Sequence, residues 1–186
     1  MTATALRAAR LPAPAEPIEI ITFPSGQRHE VLACDDDHLV IAFSVAPMDR
    51  PNAPHVHDSS DEVFEVLGGH LLFTLNGVAH HLAAGDSIVI PHGAEHFWQV
   101  VGDRDLDARV TFTPGCRFHD FLRDLAALES SGRVGADGKP GLRDFALLQR
   151  RHWAHLRVTD VPRPVLRVVV GAGVALAAVT GRRLPA

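Results

Sequence analysis

His55-Val56-His57-Asp58-Ser59-Ser60-Asp61-Glu62 is the stretch from which the fold of this 186-residue chain can be read. His55 and His57 are separated by one residue, so on a strand both imidazoles fall on the same face. A polar turn, Asp58-Ser59-Ser60-Asp61, then leads to Glu62 at the start of another strand. His96 opens a later strand, just past Pro91-His92-Gly93. Neighbouring strands lie about 4.8 Å apart, so four such side chains on one face can converge on a single centre.

Outward from this stretch the chain keeps a strand period. Residues 18–23 and 39–45 are rich in β-branched and aromatic residues, and 62–67 and 70–75 follow, joined by Gly68-Gly69. Asn76-Gly77 sits between Leu75 and Val78, the strongest short-range hairpin signal, with 78–82 as the return strand. Ala84-Gly85-Asp86 turns the chain into 87–90, the turn at 91–93 leads to 96–101, and 108–113 closes the series. Short strands at even spacing with no helices between them predict an antiparallel sandwich or barrel.

The period changes after Pro114. Phe118, Phe121, Leu122, Leu125 and Leu128 repeat at helical spacing and predict an amphipathic helix over about 117–130. Residues 142–156 read as a second helix anchored by Phe145, Leu148 and Leu156, after a polar loop. Residues 168–180 carry no charge and are flanked by Arg167, Arg182 and Arg183. That run is shorter than the roughly 20 residues a membrane span needs, and Gly171 and Gly173 weaken a helix there. A packed C-terminal segment is the expectation, with weak membrane contact as the alternative.

Composition narrows the function classes. At 46% hydrophobic and 22% charged residues, the chain is not a disordered one. Its formal net charge of -4 argues against nucleic acid as a partner. Cys34 and Cys116 lie far apart, with neither a disulfide framework nor thiolate zinc spacing, so a cytoplasmic location is the default. Residues 1–17 are rich in alanine and proline without an apolar signal core, and read as a flexible tail. The 12 histidines are the outlying feature.

Three imidazoles and a carboxylate turned into a barrel would cost several kcal/mol if left unpaired. A divalent metal resolves this, because neutral imidazole and carboxylate are natural ligands for it. His55, His57, Glu62 and His96 as ligands leave one or two positions open to water, dioxygen or a chelating substrate. Strand phase puts Phe64 on the face of Glu62, and Trp98 and Val100 on the face of His96. These three either line a dry substrate pocket or fill the core. Glu65, Glu95 and Gln99 should point away, which leaves Glu62 as the one candidate acid-base residue. The remaining histidines are expected at the surface. His152 and His155, spaced i, i+3, would lie on a solvated helical face, His92 in an exposed turn, and His70 on either side of its strand.

The spacings resemble the cupin superfamily. Its first motif, G-x5-H-x-H-x3-4-E-x6-G, is similar to His55-x-His57-x4-Glu62-x6-Gly69, and its second, G-x5-P-x-G-x2-H-x3-N, to Gly85-x5-Pro91-x-Gly93-x2-His96. Asp49 stands where the leading glycine would be and Val100 where the closing asparagine would be; neither position is a metal ligand in the family. The resemblance implies an all-β fold, the cupin double-stranded β-helix or jelly-roll barrel, over 18–114, with a helical C-terminal extension over 115–186. It implies one divalent transition metal (Fe, Mn, Ni, Cu or Zn) on His55, His57, Glu62 and His96, and a homodimer paired through outer strands. The motifs look most like the quercetin-dioxygenase-like branch of single-domain cupins. The expected activity is therefore a metal-dependent oxidoreductase acting with dioxygen on a small enol, diketone or phenolic substrate, with Glu62 also moving a proton. The alternatives are a non-catalytic small-molecule-binding barrel and a metal-dependent isomerase or lyase. A DNA-binding regulator is disfavoured, since 1–17 is too short and proline-rich for a helix-turn-helix.

Overall fold

The computed structural model describes residues 16–135 and 138–185. The expected N-terminal tail lies outside the described residues except for Glu16 and Pro17. In chain order the elements are β1 (Glu19–Thr22), β2 (Arg28–Cys34), β3 (Leu39–Val45), β4 (His55–Val56), β5 (Asp61–Gly68), β6 (His70–Leu75), β7 (Val78–Ala83), β8 (Ser87–Ile90), β9 (His96–Val101), β10 (Leu106–Thr113), α1 (Phe118–Ser130), α2 (Leu142–His152), β11 (Arg157–Val158) and α3 (Arg163–Val179). The strands form two antiparallel sheets, ordered β1-β2-β3-β10-β5-β8 and β11-β4-β9-β6-β7. This is the expected jelly roll followed by helices.

Local chemistry explains the joints. Asn76 and Gly77 both take positive φ, 48° and 79°, as a two-residue hairpin twisted to match its strands requires. At the β5–β6 joint Gly69 has φ 79°, and a Cβ there would lie 2.4 Å from the Asp105 carbonyl oxygen, so no other residue fits without moving backbone.

Cross-strand register stacks the interior in layers. Glu62 lies level with Phe112 on β10 and Ile90 on β8, while Phe64 lies level with Val110 and Ile88. Phe64, Phe73, Phe112, Ile41 and Leu71 are buried to 1% exposure or less. Removing such side chains from water stabilises the fold by about 2–3 kcal/mol each. A second cluster, Leu156, Val158, Leu166 and Val170, forms beneath the helices, and Phe118 and Phe121 pack against both clusters. The extension is thereby fused to the barrel.

The sequence reading needs four corrections. Strand β2 is not predicted, because Arg28, His29 and Glu30 open it and Val31 is the one β-branched residue of its seven. The second helix ends at His152, not at 156, and the chain turns there to form β11. The uncharged run is α3, a regular helix in which Gly173 is not a weak point but the place where α2 approaches; a Cβ there would lie 2.5 Å from Ala146 Cβ. The histidines outside the motif are not all at the surface. His29, His119 and His152 are buried, and His152 Nε2 lies 2.7 Å from Asp124 Oδ2 between α1 and α2. No helix among the described residues is long and apolar enough to cross a membrane.

Candidate metal centre

Strand β4 is only two residues long, yet it carries the first ligand candidate and aims the second. It lies between β9 and β11, with His55 level with His96 on one side and with Val158 on the other. His57 follows in the chain, and Glu62 comes from β5 in the opposite sheet. The structure brings the four together. His55, His57 and His96 each offer a ligand atom within 4.8 Å of the others, and all three are buried. Glu62 Oε2 lies 3.2 Å from His57 Nε2 and 3.3 Å from His96 Nε2.

Each imidazole is fixed through its other nitrogen. His55 Nδ1 donates to the Ala53 carbonyl at 2.9 Å, His96 Nδ1 donates to the Ala94 carbonyl at 3.1 Å, and His57 Nδ1 donates to the His155 carbonyl. A carbonyl can only accept, so each Nδ1 carries hydrogen and each neutral ring keeps its Nε2 lone pair free. This is the outer arrangement that metal-binding histidines use. Aromatic rings hold the imidazole planes as well. Phe73 stacks on His96 at 5.8 Å and 5°, and Phe112 meets His57 edge-on at 4.9 Å.

The donor set fits a divalent cation. Glu62 Oε2 is buried without a hydrogen-bond partner, because the Nε2 atoms beside it present lone pairs and not hydrogens. Lone pairs facing a buried carboxylate are stable only if positive charge, as protons or a metal ion, lies among them. Without an ion, burial disfavours the charged carboxylate, but the imidazoles of His57 and His96 outweigh it and hold Glu62 well below the usual carboxylate range. Burial and the neighbouring imidazoles keep His55 neutral far below its ordinary value. For His96 burial lowers the value, yet Glu62 beside it raises it overall. One ion answers all four donors at once, where protons answer them only in pairs.

A family profile described as Cupin domain matches residues 41–113. The barrel of this chain is a cupin domain. Among solved structures, KdgF from Halomonas sp. is similar over 57% of this chain and 99% of its own, at 20% identity and a TM-score of 0.50. An RmlC-like cupin from Shewanella frigidimarina is similar over 54% of this chain and 87% of its own, at 21% identity and a TM-score of 0.48. Pac13, described as a unique nucleoside dehydratase, is similar over 55% of this chain and 80% of its own, at 20% identity and a TM-score of 0.45. No curated protein matches the sequence.

The structure also locates the other predicted residues of this cupin barrel. Phe64 and Val100 are buried at 1% exposure and Trp98 partly so. Phe43, Phe64 and Trp98 form a mutual ring cluster, with centroids 5.8 Å (Phe43–Phe64), 5.9 Å (Phe43–Trp98) and 6.1 Å (Phe64–Trp98) apart. Glu65 points outward to a bidentate pair with Arg109, and His92 is exposed beside Asp61. The residues that orient the candidate ligands carry no signal in the sequence. Ala53, Ala94 and His155 act through backbone carbonyls, which every residue type possesses, so no side-chain signal marks them.

Proposed function

We propose that the protein is a metal-dependent cupin enzyme, an oxidoreductase of dioxygenase type acting on a small enol, diketone or phenol. The observation that supports it best is the buried Glu62 Oε2, without a hydrogen-bond partner and 3.2 and 3.3 Å from the His57 and His96 imidazoles, in a cluster of three histidines whose Nδ1 hydrogens are all committed elsewhere. Iron, manganese, nickel, copper and zinc all suit such donors. Once bound, the ion supplies Lewis acidity toward a substrate oxygen and, if redox-active, an electron path to dioxygen.

The chain's own groups do the rest. His55, His57 and His96 would hold the ion through Nε2, each fixed in one tautomer by its carbonyl. Glu62 Oε2 would join them as the fourth ligand and, as the one carboxylate of the donor set, is the group this reading assigns to take up the proton that an enol or phenol loses on binding. Phe64, Val100 and Trp98 pack in the barrel's core cluster, and in this reading they supply the apolar surroundings that keep water from the ion. A homodimer paired through outer strands belongs to the same reading, and sedimentation tests it.

The test is metal analysis of protein purified without chelators, followed by oxygen uptake on a panel of phenols and diketones. Turnover that needs both metal and oxygen is the expected result. Metal-dependent turnover under argon would replace this reading with isomerase or lyase chemistry. Ligand binding without turnover across all metals would replace it with a carrier.

A further inference from the structure

We infer that residues 154–159, which lie outside the region matched by the cupin profile, form a clasp that sets the geometry of the metal centre, with Arg157 and Gln149 as its positioning residues. The inference rests on the metal-centre reading above.

The contacts run antiparallel along the whole ligand segment. Thr159 N–H donates to the Pro54 carbonyl at 2.9 Å. Val158 lies level with His55, and Arg157 with Val56. Arg157 Nε and Nη2 donate to Asp58 Oδ2 and Oδ1 at 2.9 and 2.8 Å, a bidentate pair. The His155 carbonyl takes the Nδ1 hydrogen of His57, and Ser59 Oγ donates to the Ala154 carbonyl at 3.1 Å. Each residue from 54 to 59 is therefore held or flanked by the clasp.

The clasp is itself anchored from behind. Gln149, 2% exposed on α2, donates to the Leu156 carbonyl at 3.4 Å and accepts from Val158 N–H at 3.3 Å. Trp153 lies under the Arg157 guanidinium, 5.9 Å from ring centroid to carbon. The two-residue β4 pairs with β9 only at His55–His96. Two ligands thus sit on a segment whose register depends on the clasp as much as on the barrel. A planar guanidinium held bidentately fixes both distance and angle, which a lysine would not do.

The test uses the full chain, cobalt(II) as the probe, and four proteins: wild type, Arg157→Gln, Gln149→Leu and Arg109→Gln. Arg109 is the control, because its bidentate pair with Glu65 is similarly covered, at 14% and 18% side-chain exposure against 12% and 27% for Arg157 and Asp58. Arg157→Gln and Gln149→Leu should weaken cobalt(II) about tenfold or more and shift its visible absorption spectrum, as loss of an outer-shell partner does. Arg109→Gln should lower the unfolding midpoint but bind with wild-type affinity and spectrum. Wild-type affinity and spectrum in folded Arg157→Gln would overturn the clasp while leaving the metal centre intact. A wild-type protein that takes up no ion would overturn both. Should Gln149→Leu not fold, Arg157→Gln against Arg109→Gln decides alone.

Discussion

Gly173 on α3 faces Ala146 on α2 so closely that a Cβ on the glycine would lie 2.5 Å from the alanine Cβ. In an exposed helix, glycine to alanine stabilises by about 1 kcal/mol. Here the sign should reverse. Gly173→Ala must push α2 and α3 apart, at a cost of about 1–3 kcal/mol. Denaturant unfolding checks it, and a stabilised variant would show that the helices part freely.

His29 should govern part of the acid limb of stability. Its ring packs between Phe23 and Phe43, neither nitrogen has a partner, and burial lowers its pKa from 6.5 to about 4. Above pH 6.5 the ring is neutral in both folded and unfolded chains, and the residue contributes no slope. Between pH 6.5 and 4 the unfolded chain gains a proton that the native one refuses, so stability falls. The loss reaches about 3 kcal/mol below pH 4. His29→Leu should remove that increment, read as the difference between variant and wild-type unfolding free energies at pH 7 and pH 4.

Glu62→Gln keeps the shape of the site and removes its charge. The effect on metal affinity should exceed the roughly 10–100-fold typical of outer-shell partners. Isothermal titration with zinc or manganese measures it. Conversely, adding metal at about 100 times its dissociation constant should stabilise the wild type by about 2.7 kcal/mol, and a chelator should reverse this. An unfolding midpoint indifferent to metal would count against the centre.

The Asp124–His152 contact is buried, with Arg151 Nη1 also 3.2 Å from the carboxylate. His152→Leu strips the carboxylate of its closest partner and should cost about 1.5–3 kcal/mol. Thermal unfolding would show it. Because the pair ties α2 to α1, a companion loss of cobalt(II) affinity, smaller than in Arg157→Gln, is also expected.

Much of the barrel was legible because its signals are local. Asn76-Gly77 specifies its own hairpin, and His55, His57, Glu62 and His96 converge because strand period and two short turns place them. What escaped depends on distant partners. His29 and His152 look like surface residues until the phenylalanines around one and the aspartate beside the other are seen. Strand β11, at two residues, is too short to show any period. Gly173 reads as a helix breaker unless Ala146 is known to lie opposite.

The contact between His57 and the His155 carbonyl spans 98 residues of sequence. During synthesis, the histidine leaves the ribosome well before its partner carbonyl exists. At about 5–20 residues per second the wait is roughly 5–20 seconds, long compared with hairpin closure. Throughout that interval β4 is an uncovered sheet edge beside half-assembled ligands, open to pairing with another nascent chain. Premature release before residue 155 should therefore yield aggregation-prone barrels in which the four candidate ligands are incompletely fixed.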